Sequence, residues 1–111
     1  MKHDIPYLTE IRDEIERVKR FTQSGEQEFL KNEMVQYAVA RSIQIIGEAA
    51  KKLSNDLKGS NPDIPWKRIA GMRDIVVHDY AAIRLDLVWL TVKDDFPILE
   101  ARVRKLLEST S

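Results

Sequence analysis

The stretch NEMVQYAVARSIQIIGEAAKKLSN, residues 32–55, decides the fold. Within it Val35, Val39, Ser42, Ile46, Ala49 and Leu53 follow one another in alternating steps of four and three. That stepping holds side chains on one line of a helix, because 3.6 residues make a turn. Ala38, Ile45 and Ala50 widen the apolar band, so the stretch predicts a long helix at the centre of the molecule. Gly47 lies inside that helix, where glycine costs roughly 1 kcal/mol relative to alanine. A glycine there points to another helix in close approach.

The flanking segments carry the same period. Ile5, Leu8, Ile11, Ile15 and Val18 recur at three and four, predicting a helix from residue 6 or 7 to 21. Its opposite face would hold Glu10, Asp13, Glu14, Arg17 and Arg20 in solvent. Ser24-Gly25 ends it, and a short helical piece over 27–31 stands apart from the long helix. Gly59, Ser60, Asn61, Pro62 and Pro65 make 57–65 a loop by turn chemistry. Helix resumes over 66–78, and Asp79-Tyr80-Ala81-Ala82 forms a junction. A helix over 84–95 buries Leu85, Val88, Trp89 and Val92, Pro97 interrupts it, and a last helix covers 98–107. Nothing reads as a hairpin. The expected fold is all-α, an antiparallel bundle of four to five helices in a single domain over 1–111.

Composition narrows the function. With 43% hydrophobic residues in a chain of 111, a real core is possible, though a small one that association would enlarge. Lys+Arg and Asp+Glu are both 18, which argues against a protein that coats nucleic acid. A nuclease is not excluded, since its site needs only a local positive field. The absence of cysteine removes disulfides, thiolate nucleophiles and cysteine zinc sites. With no paired histidines and only four glycines, neither a metal centre nor a phosphate loop is expected, and no cofactor. Residues 1–7 lack a signal-peptide core and no stretch is long enough to span a membrane, so a cytoplasmic location is expected.

The chemistry concentrates in Met72-Arg73-Asp74-Ile75-Val76-Val77-His78-Asp79-Tyr80. His78 is the side chain suited to proton transfer near neutral pH. Arg73 is a permanent cation able to grip a phosphate with two N–H groups. Together they suit RNA cleavage without a metal, His78 moving a proton at the 2′-hydroxyl or the leaving oxygen and Arg73 stabilising the transition-state phosphate. At about 100° per residue, Arg73 and Tyr80 are nearly in line, but His78 lies about 140° from Arg73. Either the helix breaks near His78, or a second copy in a two-fold dimer supplies the missing half, and the dimer is the favoured solution. An Arg-x4-His spacing also arises by chance, with His78 then a cap or a surface residue.

On the long helix, Tyr37, Arg41, Gln44 and Glu48 follow steps of four, three and four beside the apolar band. Arg41 would be a second phosphate contact, Gln44 part of the same support, and Glu48 a tuning charge. Arg41 and Gln44 fit a solvated helix face equally well. His3 reads as inert near a frayed end, and Trp66 and Trp89 as core or interface residues. Lys67 and Arg68 either steer RNA or serve solubility, and Arg102, Arg104 and Lys105 read as a solvated face.

Taken together these residues resemble the HEPN superfamily, whose hallmark is Arg, four to six residues, then His. The narrower resemblance is to HepT-like toxins, with Arg-x4-His-x-Tyr present as Arg73, His78 and Tyr80. Ile46-Gly47-Glu48-Ala49-Ala50 and Ile64-Pro65-Trp66 are similar to landmarks of that family, and the likeness runs from about Ile5 to Leu107. It implies a metal-independent endoribonuclease that dimerises with its Arg-His motifs meeting in a cleft. It also implies a toxin–antitoxin pair, in which an MntA-like minimal nucleotidyltransferase transfers AMP to Tyr80. AMP beside Arg73 and His78 would block an RNA phosphate by bulk and by charge. One position departs from the pattern: Asp74 stands where asparagine is frequent, and its carboxylate would either weaken the hold of Arg73 on phosphate or orient the guanidinium. A non-catalytic helical partner of a nucleotidyltransferase and a purely structural helical dimer are the competing readings.

Overall fold

A computed structural model describes residues 1–78 and 84–110. Among them every regular element is helical. A 3₁₀ turn Lys2–Asp4 leads into α1 (Ile5–Phe21), α2 (Glu26–Lys31), α3 (Glu33–Lys52), α4 (Asn55–Ser60) and α5 (Trp66–His78). Then come α6 (Leu85–Leu90), a π-helical segment Thr91–Asp95 and α7 (Phe96–Glu108). Four long rods result, α1, α3, α5 and the α6–α7 run, with α2 and α4 as short connectors. The all-α bundle expected from periodicity is present.

The boundaries have local causes. Pro6 sits in the first turn of α1, where its missing N–H would be unpaired anyway. Gly25, at φ 91°, takes the left-handed conformation that starts α2. Asn32 caps α3, its side-chain oxygen accepting the Val35 N–H at 3.2 Å. At the far end α3 stops at Lys52, short of the expected residue 55, because Leu53 and Ser54 turn to extended backbone. Ser54 then caps a new helix, its Oγ accepting the Leu57 N–H at 3.2 Å. So the expected loop over 57–65 is half helix, with Leu57 buried beneath α4. Capping by Ser54 outweighs the turn preference of Gly59 and Ser60.

Pro97 also behaves differently from expectation. It lies in the first turn of α7 and the rod continues through it. The Thr91–Asp95 π segment immediately before it widens the helix. Such widening relieves the clash between a proline ring and the preceding carbonyls.

α3 packs between α1 and α5, and α7 lies along α1. Leu8, Ile11, Ile15 and Val18 of α1 are buried with Val39, Ile43 and Ile46 of α3 and Leu99 and Val103 of α7. Ile69 and Met72 bring α5 into the same core. Each such side chain contributes about 1.5–3 kcal/mol by burial, more than an exposed ion pair. Trp66 and Trp89 are partly buried against the core, Trp89 tilted on Phe29 with ring centroids 5.4 Å apart.

Several charged residues read as surface groups make ion pairs, Arg68 and Arg104 while remaining exposed. Glu14, on the flank of α1, is buried and paired with Arg17. Arg68 binds Asp95 through two bonds of 2.9 and 2.7 Å, joining α5 to the π segment. Arg102 reaches Asp63 and Asn61, and Arg104 reaches Glu16 and Glu100, fastening α7 to the 61–65 connection and to α1. The N-terminus is tied as well. Asp4 is buried and accepts from the Ser54 N–H at 2.7 Å and Oγ–H at 2.8 Å, while His3 lies against Tyr7 and 3.2 Å from the Lys52 carbonyl. No helix among the described residues is long and apolar enough to cross a membrane.

Candidate active site

The site forms where α5 crosses α3. Gly47 has no side chain, and the Arg73 stem fills the space. A Cβ built on Gly47 would overlap the Arg73 Cβ and lie 2.7 Å from its Cγ. The close approach expected of Gly47 is therefore made by Arg73 itself. Packing of the stem against Gly47 sets where the Arg73 side chain leaves α5. Its Nε is buried with no hydrogen-bond acceptor among the described residues. An unsatisfied buried donor is uncommon and calls for an explanation, a catalytic role, strain or an ordered water being the usual ones.

Carboxylates flank the rest of the group. Arg73 Nη2 is 3.6 Å from Glu48 Oε2, and Nη1 is 3.2 Å from Asp74 Oδ1. The same Asp74 oxygen accepts from Lys51 Nζ at 2.8 Å. The bond from Lys51, and then that from Arg73, holds the Asp74 carboxyl below the usual aspartate range. Arg73 is 20% exposed at its side chain, against 41% for Glu48 and 51% for Asp74. The Arg73 side chain is thus partly exposed while its stem is packed against Gly47.

Of the residues singled out from sequence, Arg73, Asp74 and Glu48 come together. Arg41 and Gln44 do not join that cluster by hydrogen bond or ion pair among the described residues. Arg41 stands seven residues before Glu48 on the same helix line, about 10 Å away. It is exposed, and Gln44 is half-buried. His78 is the last residue of α5 and is exposed. The helix runs unbroken from Arg73 to its end at His78, so their side chains leave the axis about 140° apart. Tyr80 and the junction around it lie outside the described residues.

Lys51 is the member that sequence reasoning passed over. Its signal was present: the stepping through Arg41, Gln44 and Glu48 continues by three to Lys51. Stopping at Glu48 hid a cation that shares Asp74 with Arg73.

Comparison with known proteins gives the chain a family. Residues 11–106 match the family model described as Ribonuclease HepT-like. A protein of Thermococcus cleftensis named "Probable ribonuclease HepT" is 41% identical over 101 residues, covering 90% of this chain and 92% of that one. One of Methanocaldococcus jannaschii named "Putative RNase" is 38% identical over 104 residues, covering 92% and 95%. Another so named, from Caldanaerobacter subterraneus subsp. tengcongensis, is 38% identical over 112 residues, covering 97% of each. No solved structure matches the chain. The chain belongs to the ribonuclease HepT-like family.

Proposed function

We propose that this chain is a metal-independent endoribonuclease, the toxin of a toxin–antitoxin pair, with Arg73 and His78 as its catalytic residues. The observation that carries the reading is the fixed seat of Arg73, its stem set against Gly47 and its side chain still 20% exposed. A phosphate meeting the guanidinium there gains a charge-assisted contact without first ordering the side chain. His78 takes the proton of the RNA 2′-hydroxyl as the 2′-oxygen bonds to phosphorus. The P–O5′ bond then breaks, and the leaving oxygen accepts a proton from imidazolium. The products are a 2′,3′-cyclic phosphate and a 5′-hydroxyl. Arg73 offsets the charge that builds on the phosphoryl oxygens.

Because α5 does not break between the two residues, we assign Arg73 and His78 to a composite site in a homodimer, each copy completing the other. The partner proposed for the off-state is an MntA-like nucleotidyltransferase antitoxin that adds AMP to Tyr80. Asp74 and Glu48 orient the guanidinium, and Arg41 extends the phosphate path along α3. Expression of the wild type should arrest growth, and His78→Ala or Arg73→Ala should abolish that. Co-expression of the nucleotidyltransferase should add one AMP per chain, seen by intact mass and lost in Tyr80→Phe. Growth arrest by His78→Ala at the wild-type level would remove His78 from the site.

A second reading, a non-catalytic helical partner of a nucleotidyltransferase, is favoured by one observation: Arg73 already faces two carboxylates. It predicts normal growth with every variant and no RNA cleavage.

A further inference from the structure

Around Arg73 the charges are Arg73, Lys51, Glu48 and Asp74, two cations and two carboxylates. Asp74 Oδ1 is shared, 2.8 Å from Lys51 Nζ and 3.2 Å from Arg73 Nη1. We infer that Lys51 is a positioning residue, which occupies Asp74 so that the Arg73 guanidinium stays available to a phosphate. This rests on the reading of Arg73 as the phosphate contact.

Removing Lys51 would have two effects. Asp74 follows Arg73 directly in the chain, so its carboxylate cannot leave the neighbourhood. With no ammonium to bind, it would turn fully to the guanidinium, where two N–H groups fit one carboxylate. The cluster would also pass from neutral to a net negative charge, which repels an incoming phosphate. One unit charge at roughly 6 Å changes an affinity about three- to tenfold for an effective dielectric between about 80 and 40. A role in folding does not account for the pair, since Lys51 is 43% and Asp74 51% exposed, and ion pairs so exposed add little. The arrangement also settles the ambiguity of Asp74. It is a shared acceptor that orients Arg73 while Lys51 is present, and becomes a competitor for the guanidinium when Lys51 is gone.

The test reads phosphate binding and not turnover. The Arg73 Nε–H resonance, assigned by its loss in Arg73→Ala, is followed during titration with inorganic phosphate. Lys51→Met should weaken phosphate binding about three- to tenfold. Asp74→Asn should tighten it, and Lys51→Met/Asp74→Asn should return to within about twofold of the wild type. Three outcomes would overturn the inference. Lys51→Met could leave the affinity unchanged. The double variant could stay as weak as Lys51→Met, which makes Lys51 a direct phosphate contact. The wild-type resonance could also fail to respond to phosphate. Cleavage assays on Arg73→Ala and His78→Ala judge the ribonuclease reading separately.

Discussion

Gly47 of α3 and Arg73 of α5 share a single packing volume, such that a Cβ on Gly47 would lie 2.7 Å from the Arg73 Cγ. The backbone of one helix is therefore the seat of the cation on the other. Gly47→Ala gains about 1 kcal/mol of helix propensity but forces Arg73 or α5 outward, and overpacking costs about 1–3 kcal/mol. We expect net destabilisation in urea unfolding, and a loss of RNA cleavage even where the variant is folded. Gly71→Ala, on α5 with nothing within 4 Å of the added Cβ, is the control and should stabilise by up to about 1 kcal/mol. Equal stability of the two variants would contradict the packing relationship.

The Asp4 and Ser54 contact makes a pH-dependent prediction. Burial pushes the Asp4 carboxyl up, but the bonds from the Ser54 backbone and hydroxyl outweigh it, aided by His3 and the chain amino group. The net direction is down. A carboxyl lowered on folding adds stability above its unfolded value, near about pH 4, and that stability is lost as pH falls through the folded value. Asp4→Ala should cost about 1–3 kcal/mol at neutral pH, since it strands a cap and a charged hydrogen bond. The gap between wild type and variant should narrow below about pH 4. A gap constant from pH 7 to pH 3 would show that Asp4 acts only through packing.

The unbroken helix from Arg73 to His78 leads to a complementation experiment. If the two act from different copies, mixing inactive Arg73→Ala with inactive His78→Ala creates some sites with both residues intact. After subunit exchange, activity should recover to about a quarter of the wild-type level. No recovery, with exchange shown by mass spectrometry, would place both residues in one chain's site.

Much of this was legible in the residues. The three-four stepping of α1 and α3 located both helices and most of their buried faces, because one-sided burial imposes that period on any packed helix. Gly47 disclosed a close helix approach, though not that α5 makes it, because close approach is what glycine permits. The failures have causes too. The loop expected at 57–65 overlooked a one-residue cap, Ser54, whose hydrogen bond outweighs the turn preference of Gly59 and Ser60. Pro97 was read as a break, since no local signal announces a π segment that absorbs a proline. Glu14 was placed on the solvent face but is buried and paired with Arg17 a turn away, while Arg68 and Arg104 are exposed and only their partners Asp95 and Glu16, on other elements, were unforeseen. Lys51 was missed for a similar reason, since its bond to Asp74 crosses from α3 to α5.

The central claim is that Arg73 and His78 cleave RNA without a metal. Purified, unmodified wild type, Arg73→Ala and His78→Ala should be incubated with total RNA and tRNA in excess EDTA. The account predicts cleavage by the wild type alone, leaving 2′,3′-cyclic phosphate ends, with both variants folded and inactive. Cleavage that persists in His78→Ala, or that EDTA abolishes in the wild type, would contradict it.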